Sequence, residues 1–108
     1  MIQHEIQTLV LDSGKCPFED WMDRLGDLKA KSIFRTRIDR VALGNFGHCR
    51  DLKEGLWELK IDFGPGYRVY FGKFRNRIIL LLTGGDKSSQ PRDIKTARVY
   101  WESFLKES

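Results

Sequence analysis

One stretch of this chain limits its fold more than any other, the run 57–71 that reads WELKIDFGPGYRVYF. Apolar and charged residues alternate in its first half, which is the period of a β-strand with one face against a core. Gly-Pro-Gly then favours a tight turn, and the second half alternates again. The pattern predicts a β-hairpin whose core face carries Trp57, Leu59, Ile61, Phe63, Tyr67, Val69 and Phe71.

An arginine interrupts the returning strand of this hairpin. Because side chains alternate along a strand, Arg68 and Tyr70 face away from the core, on the side that also carries Glu58 and Lys60. Two interpretations of Arg68 follow from this placement. It is either a phosphate contact on a cationic sheet face or half of a cross-strand salt bridge with Glu58.

Other segments complete a mixed α and β layout. The apolar run 78–83 predicts a central strand buried on both faces, and 2–11 predicts a first strand. Helical spacing predicts helices from Pro17, over 30–43 and after Pro91. We therefore expect one α+β domain over 1–108, with an antiparallel sheet of about four strands packed against an N-terminal helical hairpin, and a C-terminal helix.

Composition and charge exclude several classes of protein. The hydrophobic fraction of 41% and charged fraction of 31% are typical of a globular protein, and no apolar run is long enough to span a bilayer. Charged residues interrupt the first apolar segment, so we expect no signal peptide, a cytoplasmic protein and reduced thiols at Cys16 and Cys49. No cluster shows metal-ligand spacing, and no cofactor is predicted.

Positive charge is concentrated in two blocks. Segment 24–40 has six Lys or Arg and two acidic residues, and segment 67–77 has four Lys or Arg and none, although the net charge is only +4. This asymmetry favours a polyanionic partner, and solvated faces of a helix and a hairpin would produce it equally well. For an RNA partner, we predict backbone contacts from Arg50, Lys53, Lys73 and Arg75.

The polar face of the hairpin has the chemistry for acting on RNA. Cations at Lys60, Arg68 and Lys87 could hold a phosphate and stabilise developing charge, while Tyr70 or His48 moves protons. Such a reaction would need no metal. These five residues are the predicted catalytic group.

Several motifs resemble a known family. The segments FEDWMDRLGDLKAKS, RIDRVALGNFG, WELKIDFGPGYRVYF and LLLTGGDKSSQPRDIKTA look like the phage-related addiction-module killer branch, similar to HigB, of the RelE/ParE toxin superfamily. The likeness runs in order from Phe18 to about Ala97. It implies a compact RelE-like fold and a toxin of a type II toxin-antitoxin system.

The resemblance also implies an activity and its residues. RelE-like and HigB-like members cleave mRNA on the ribosome without metal, with the RNA 2′-hydroxyl as nucleophile. Lys60 falls where these members place a strand lysine that contacts the phosphate, and Arg68 falls on their arginine after the Gly-Tyr turn. Lys87 lies near the place of a basic residue after the last strand. Ile94 stands about where those nucleases often have a tyrosine, so Tyr70, His48 or Asp86 would have to assist.

The implied partners are the ribosome, mRNA and a small helix-turn-helix antitoxin. Two alternatives remain open. ParE-like members of the same superfamily poison DNA gyrase, and a degenerate toxin would only bind its antitoxin. The sequence leaves codon preference, antitoxin stoichiometry and the oligomeric state of the free toxin open.

Overall fold

The computed structural model describes residues 3–108. Ile2, the first residue of the predicted N-terminal strand, lies outside the described residues. In chain order the elements are β1 Glu5–Thr8, α1 Pro17–Arg24, α2 Leu28–Ala42, β2 Cys49–Asp51, β3 Leu56–Ile61, β4 Tyr67–Phe74, β5 Ile78–Gly85 and α3 Gln90–Lys106.

The five strands form one mixed sheet in the order β1-β5-β4-β3-β2. The pairs β2–β3, β3–β4 and β4–β5 are antiparallel, as expected. The expectation of a purely antiparallel sheet of about four strands is wrong, because β1 joins the edge beside β5 and runs parallel to it. Alternation along one strand identifies the strand but does not reveal the direction of its partner.

Helices α1 and α2 cover one face of the sheet. Pro17 opens α1, and the Asp27 carboxylate caps α2 by accepting a hydrogen bond from the Ala30 N–H at 3.0 Å. Their apolar residues pack on the core side of the hairpin. The main contributors are Phe18, Met22, Phe34, Val41, Leu59, Ile61, Val69, Phe71, Ile79 and Leu81.

Helix α3 covers part of the opposite face. Ala97 and Trp101 pack against Leu56, Tyr70 and Leu82. Strand β5 is therefore covered on both sides, which confirms the interpretation of the apolar run 78–83. The polar face of the hairpin is consequently divided, with one part beneath α3 and one part open at the end of the sheet beside the Gly-Pro-Gly turn.

Over the part of the chain that is described, no helix combines the length and the apolar character that crossing a bilayer requires.

Candidate functional site

Two rows of polar residues cross the sheet on the side of α3. In the first row Lys60 of β3 pairs with Arg68 of β4, and Arg68 pairs with Gly85 of β5. In the second row Glu58 pairs with both Tyr70 and Arg50. The predicted shared face of the hairpin is confirmed, and the observed register brings Lys60 and Arg68 side by side.

The backbone next to the first row is fixed from the other side of the sheet. Arg37 of α2 donates hydrogen bonds to the Lys60 carbonyl at 2.9 Å and to the His48 carbonyl at 3.1 Å. The Lys60 N–H in turn donates to the His48 carbonyl at 3.2 Å. Arg37 therefore holds His48 beside Lys60. No sequence pattern indicates this contact, because Arg37 lies far from both residues along the chain.

The Gly-Pro-Gly turn brings Lys87 to the same place. Gly66 has φ of 77°, a conformation that favours glycine, and its carbonyl accepts a hydrogen bond from Arg68 Nη1 at 2.7 Å. A Cβ at Gly66 would lie 3.4 Å from Arg68 Nη1 and 3.8 Å from Lys87 Cβ. Lys87 and Arg68 therefore both lie next to Gly66.

An open cavity of about 360 Å³ lies at this point. We call it the cationic pocket. Its walls are the turn, Asp62 and three predicted catalytic cations, Lys60, Arg68 and Lys87. The structure thus brings together three residues from a stretch in which the first and last lie 27 positions apart.

Arg68 is held by a buried polar cluster next to the pocket. Its side chain is 5% exposed, and its Nε lies 3.7 Å from Oε2 of Glu58, whose side chain is 4% exposed. Arg50 Nε lies 3.4 Å from Glu58 Oε1, and Gln90 of α3 donates to Glu58 Oε2 at 2.9 Å. The cross-strand pair of Arg68 with Glu58 is therefore confirmed, and Arg68 also lines the cationic pocket, where its contact with a phosphate stays a prediction.

Tyr70 does not reach the pocket. It is fully buried beneath α3, and its hydroxyl has no hydrogen-bond partner among residues 3–108. Burial, and secondly the neighbouring Glu58 carboxylate, raise its pKa well above the usual range. The predicted role of Tyr70 in proton transfer does not fit this position.

His48 does not line the cationic pocket, but it contacts Asp62, which does. Its side chain is 61% exposed, and its Nδ1 lies 3.6 Å from Asp62 Oδ2. The other carboxylate oxygen of Asp62 lies 3.3 Å from Lys60 Nζ. An imidazole oriented by a carboxylate is a common arrangement for moving protons. Alternation along the strand predicts that Asp62 lies on the polar face with Lys60. No pattern in the sequence predicts its contact with His48.

Asp86 and Cys49 are less suited to proton transfer. Hydrogen bonds from Ser88, its hydroxyl first, hold the pKa of Asp86 below its usual range. Burial raises the pKa of the Cys49 thiol to about 11, so this thiol remains protonated at neutral pH. Within residues 3–108, no group of three or more His, Cys, Asp or Glu side chains could hold a metal ion.

The four predicted RNA-binding residues do not form one surface. Arg50 contacts Glu58, the partner of Arg68, and Lys53 lies in the exposed β2–β3 turn. Lys73 lies 5.0 Å above the ring of Phe46, which packs in the core of the α1 and α2 face. Arg75 lies in the β4–β5 turn, at the opposite end of β4 from the pocket. These four predicted RNA-binding residues are therefore distributed over both faces and both ends of the sheet.

Comparison with known proteins identifies a relative. The chain is 44% identical over 82 residues to an uncharacterized protein of Haemophilus influenzae, and the match covers 76% of this chain and 83% of that protein. The chain belongs to the family of this Haemophilus protein. No protein-family model and no solved structure matches the chain. The two proteins are thus related by sequence over most of their length.

Proposed function

We propose that this chain is the toxin of a type II toxin-antitoxin system and cleaves mRNA on the ribosome. The observation that carries the proposal is the cationic pocket, in which Lys60, Arg68 and Lys87 converge around the Gly-Pro-Gly turn. Three cations around one small open cavity suit a phosphodiester, whose charge grows in the transition state of cleavage. The motifs shared with the RelE/ParE superfamily support a RelE-like fold and this reaction class.

The proposed reaction uses the RNA itself as nucleophile. The 2′-hydroxyl oxygen attacks the adjacent phosphorus, the bond from phosphorus to the 5′-oxygen breaks, and a 2′,3′-cyclic phosphate and a 5′-hydroxyl result. The proton lost by the 2′-hydroxyl goes to a base, and the leaving 5′-oxygen takes up a proton. Arg68, Lys60 and Lys87 stabilise the negative charge on the phosphoryl oxygens during this step.

His48 with Asp62 is the best-placed group for the proton transfers. The imidazole contacts the Asp62 carboxylate, which lines the pocket and also contacts Lys60. The two ring nitrogens of an imidazole can accept and donate protons, as a group that serves both transfers requires. The proposal therefore replaces Tyr70, which is buried, by His48.

The proposed partners are the ribosome, mRNA and an antitoxin, as the resemblance implies. The toxin acts in the cytoplasm on ribosome-bound mRNA, and a small helix-turn-helix antitoxin neutralises it by binding. No metal takes part in the proposed step, since cationic side chains supply the charge that a metal ion would otherwise supply.

The test is the mapping of mRNA ends in a purified translation system. Wild-type protein should cut mRNA on translating ribosomes, and Lys60→Ala and Lys87→Ala should each slow cutting by about 100-fold, the order found when one charge-stabilising donor is removed. Arg75→Ala is the matched control: the sequence predicts an RNA contact at Arg75, but this exposed cation lies at the other end of β4 from the pocket, so the variant should cut normally.

Intact mRNA on translating ribosomes would contradict the proposal. If gyrase cleavage complexes formed on DNA in cells that express the protein, while mRNA in those cells stayed whole, the protein would instead be a gyrase poison. If neither nucleic acid were cut, the interpretation as a module that only binds its antitoxin would be favoured.

A further inference from the structure

A second cavity lies beside the cationic pocket, on the other side of the Gly-Pro-Gly turn. It has a volume of about 500 Å³ and lies between the C-terminal end of α1, the turn and the start of α3. Two aromatic residues, Trp21 and Tyr67, and two arginines, Arg24 and Arg92, line it together with the backbone at the end of β5. We call it the aromatic pocket.

The aromatic walls of this pocket are fixed by packing. A Cβ at Gly84 would lie 2.4 Å from Trp21 Cε3, so the indole rests directly on the backbone of β5. Trp21 also contacts Phe34, with ring centroids 5.5 Å apart, and meets Tyr67 at 6.4 Å and 67°. Both Trp21 and Tyr67 remain partly exposed. The two rings thus form a rigid, accessible corner.

The charged side chains that line the aromatic pocket differ in whether they already have a partner. The carboxylates of Asp86 and Asp93 accept hydrogen bonds from Ser88 and Ser89, and Arg92 Nε lies 4.0 Å from Asp93 Oδ1. Arg24 is exposed, and among residues 3–108 it has no ion-pair partner. The rim therefore offers at least one free guanidinium to an anion.

The two cavities are immediate neighbours. Pro65 of the turn lines both of them. Two pairs of adjacent residues also divide between them, since Tyr67 lines the aromatic pocket and Arg68 the cationic one, and Asp86 and Lys87 divide in the same way. An extended ligand that crosses the turn would place one unit in each cavity.

We propose that the aromatic pocket binds the nucleobase next to the phosphate held in the cationic pocket, so that the protein grips two adjacent parts of a single RNA strand. The inference rests on the proposed function, which supplies the strand. Stacking on aromatic side chains and cations that follow the backbone are the two means by which proteins hold single strands. Trp21 and Tyr67 supply the first, and Arg24 supplies the second to the next phosphate.

The test measures binding of a fluorescein-labelled RNA hexamer whose 2′-hydroxyls are all methylated, which prevents cleavage by 2′-hydroxyl attack. Tyr67→Leu retains apolar bulk and removes the aromatic face, and it should weaken binding about 5- to 150-fold, the range for loss of one base-stacking side chain. Arg24→Ala should weaken binding and reduce its dependence on salt. Arg35→Ala is the control, since it removes an exposed cation from α2 and should leave the affinity unchanged.

A set of hexamers with one base removed makes the test specific to stacking. One abasic position should lower wild-type affinity as much as Tyr67→Leu does, and on that hexamer Tyr67→Leu should cause no further loss. Trp21→Leu should behave in the same way. Thermal unfolding of each variant, followed by circular dichroism, verifies that it is folded.

The outcomes separate the two proposals. If Lys60→Ala weakens hexamer binding while Tyr67→Leu and Trp21→Leu do not, the nucleobase site is wrong and the cationic pocket remains. If wild-type protein does not bind the hexamer, the nucleobase site is also overturned. The mapping of mRNA ends on ribosomes then decides the proposed function independently.

Discussion

Arg68 combines a structural contact with a position in the candidate site. Its Nη1 donates to the Gly66 carbonyl of the turn, and its Nε faces Glu58. A guanidinium has several donors in one rigid plane, so a single arginine can be fixed on one edge and present another to a ligand. Glu58 is therefore a positioning residue, because it holds Arg68 without lining the cationic pocket itself.

Removal of this carboxylate should destabilise the protein strongly. Glu58→Ala leaves the buried Arg68 without a counter-charge, and breaking a buried pair in this way costs about 3–5 kcal/mol of unfolding free energy. Arg50→Ala removes a partner of the same carboxylate whose side chain is 58% exposed, and it should cost about 1 kcal/mol or less. Urea denaturation of both variants measures the difference. Equal losses would show that Arg68 does not depend on Glu58.

Among the elements, α3 decides which part of the sheet face is open. The helix approaches β4 closely because Gly72 has no side chain, and Trp101 lies over it with 2% of its surface exposed. The same packing buries Tyr70 and leaves Lys60 at the open end. Docking of α3 thus separates the covered polar row from the row that lines the cationic pocket.

A methyl group at the contact with α3 should disturb this docking. In Gly72→Ala the Cβ would lie 2.2 Å from two ring carbons of Trp101, and over-packing of this kind typically costs about 1–3 kcal/mol or more. Gly26→Ala is the control, since a Cβ there meets nothing within 4 Å and should change stability by about 0.5 kcal/mol at most. Thermal unfolding compares the two variants. A Gly72→Ala protein as stable as wild type would mean that α3 tolerates a shift away from the sheet.

The hairpin could be predicted from its sequence, whereas the packing of α3 over it could not. Alternation in 57–71 correctly placed Lys60 and Arg68 on one face of the hairpin, because the period of a strand is a local property, and the structure adds that the two are direct partners. Burial of Tyr70 and the contact of Gln90 with Glu58 depend on α3, which lies far along the chain. The parallel pairing of β1 with β5 depends likewise on a contact between distant segments.

At the scale of the whole molecule, the location of each cation matters more than the net charge of +4. Lys60 and Lys87 line the cationic pocket, and Arg24 and Arg92 line the neighbouring aromatic pocket. Arg75 lies seven residues beyond Arg68, roughly 23 Å away at the rise of a strand. That separation exceeds the screening length of about 8 Å at physiological ionic strength, so Arg75 contributes little to a ligand held at the pocket.

The salt dependence of RNA binding should therefore distinguish two variants that have the same net charge. The logarithm of the affinity for a single strand falls with the logarithm of salt concentration at a slope of about −0.7 for each phosphate contact. Lys60→Ala should make that slope shallower by about 0.7, because it removes one contact, and Arg75→Ala should leave it unchanged. Titration of the methylated hexamer at several potassium chloride concentrations gives both slopes. Equal changes in the two variants would mean that RNA is attracted by the charge of the whole surface, since a localised site cannot respond to a cation at the far end of β4.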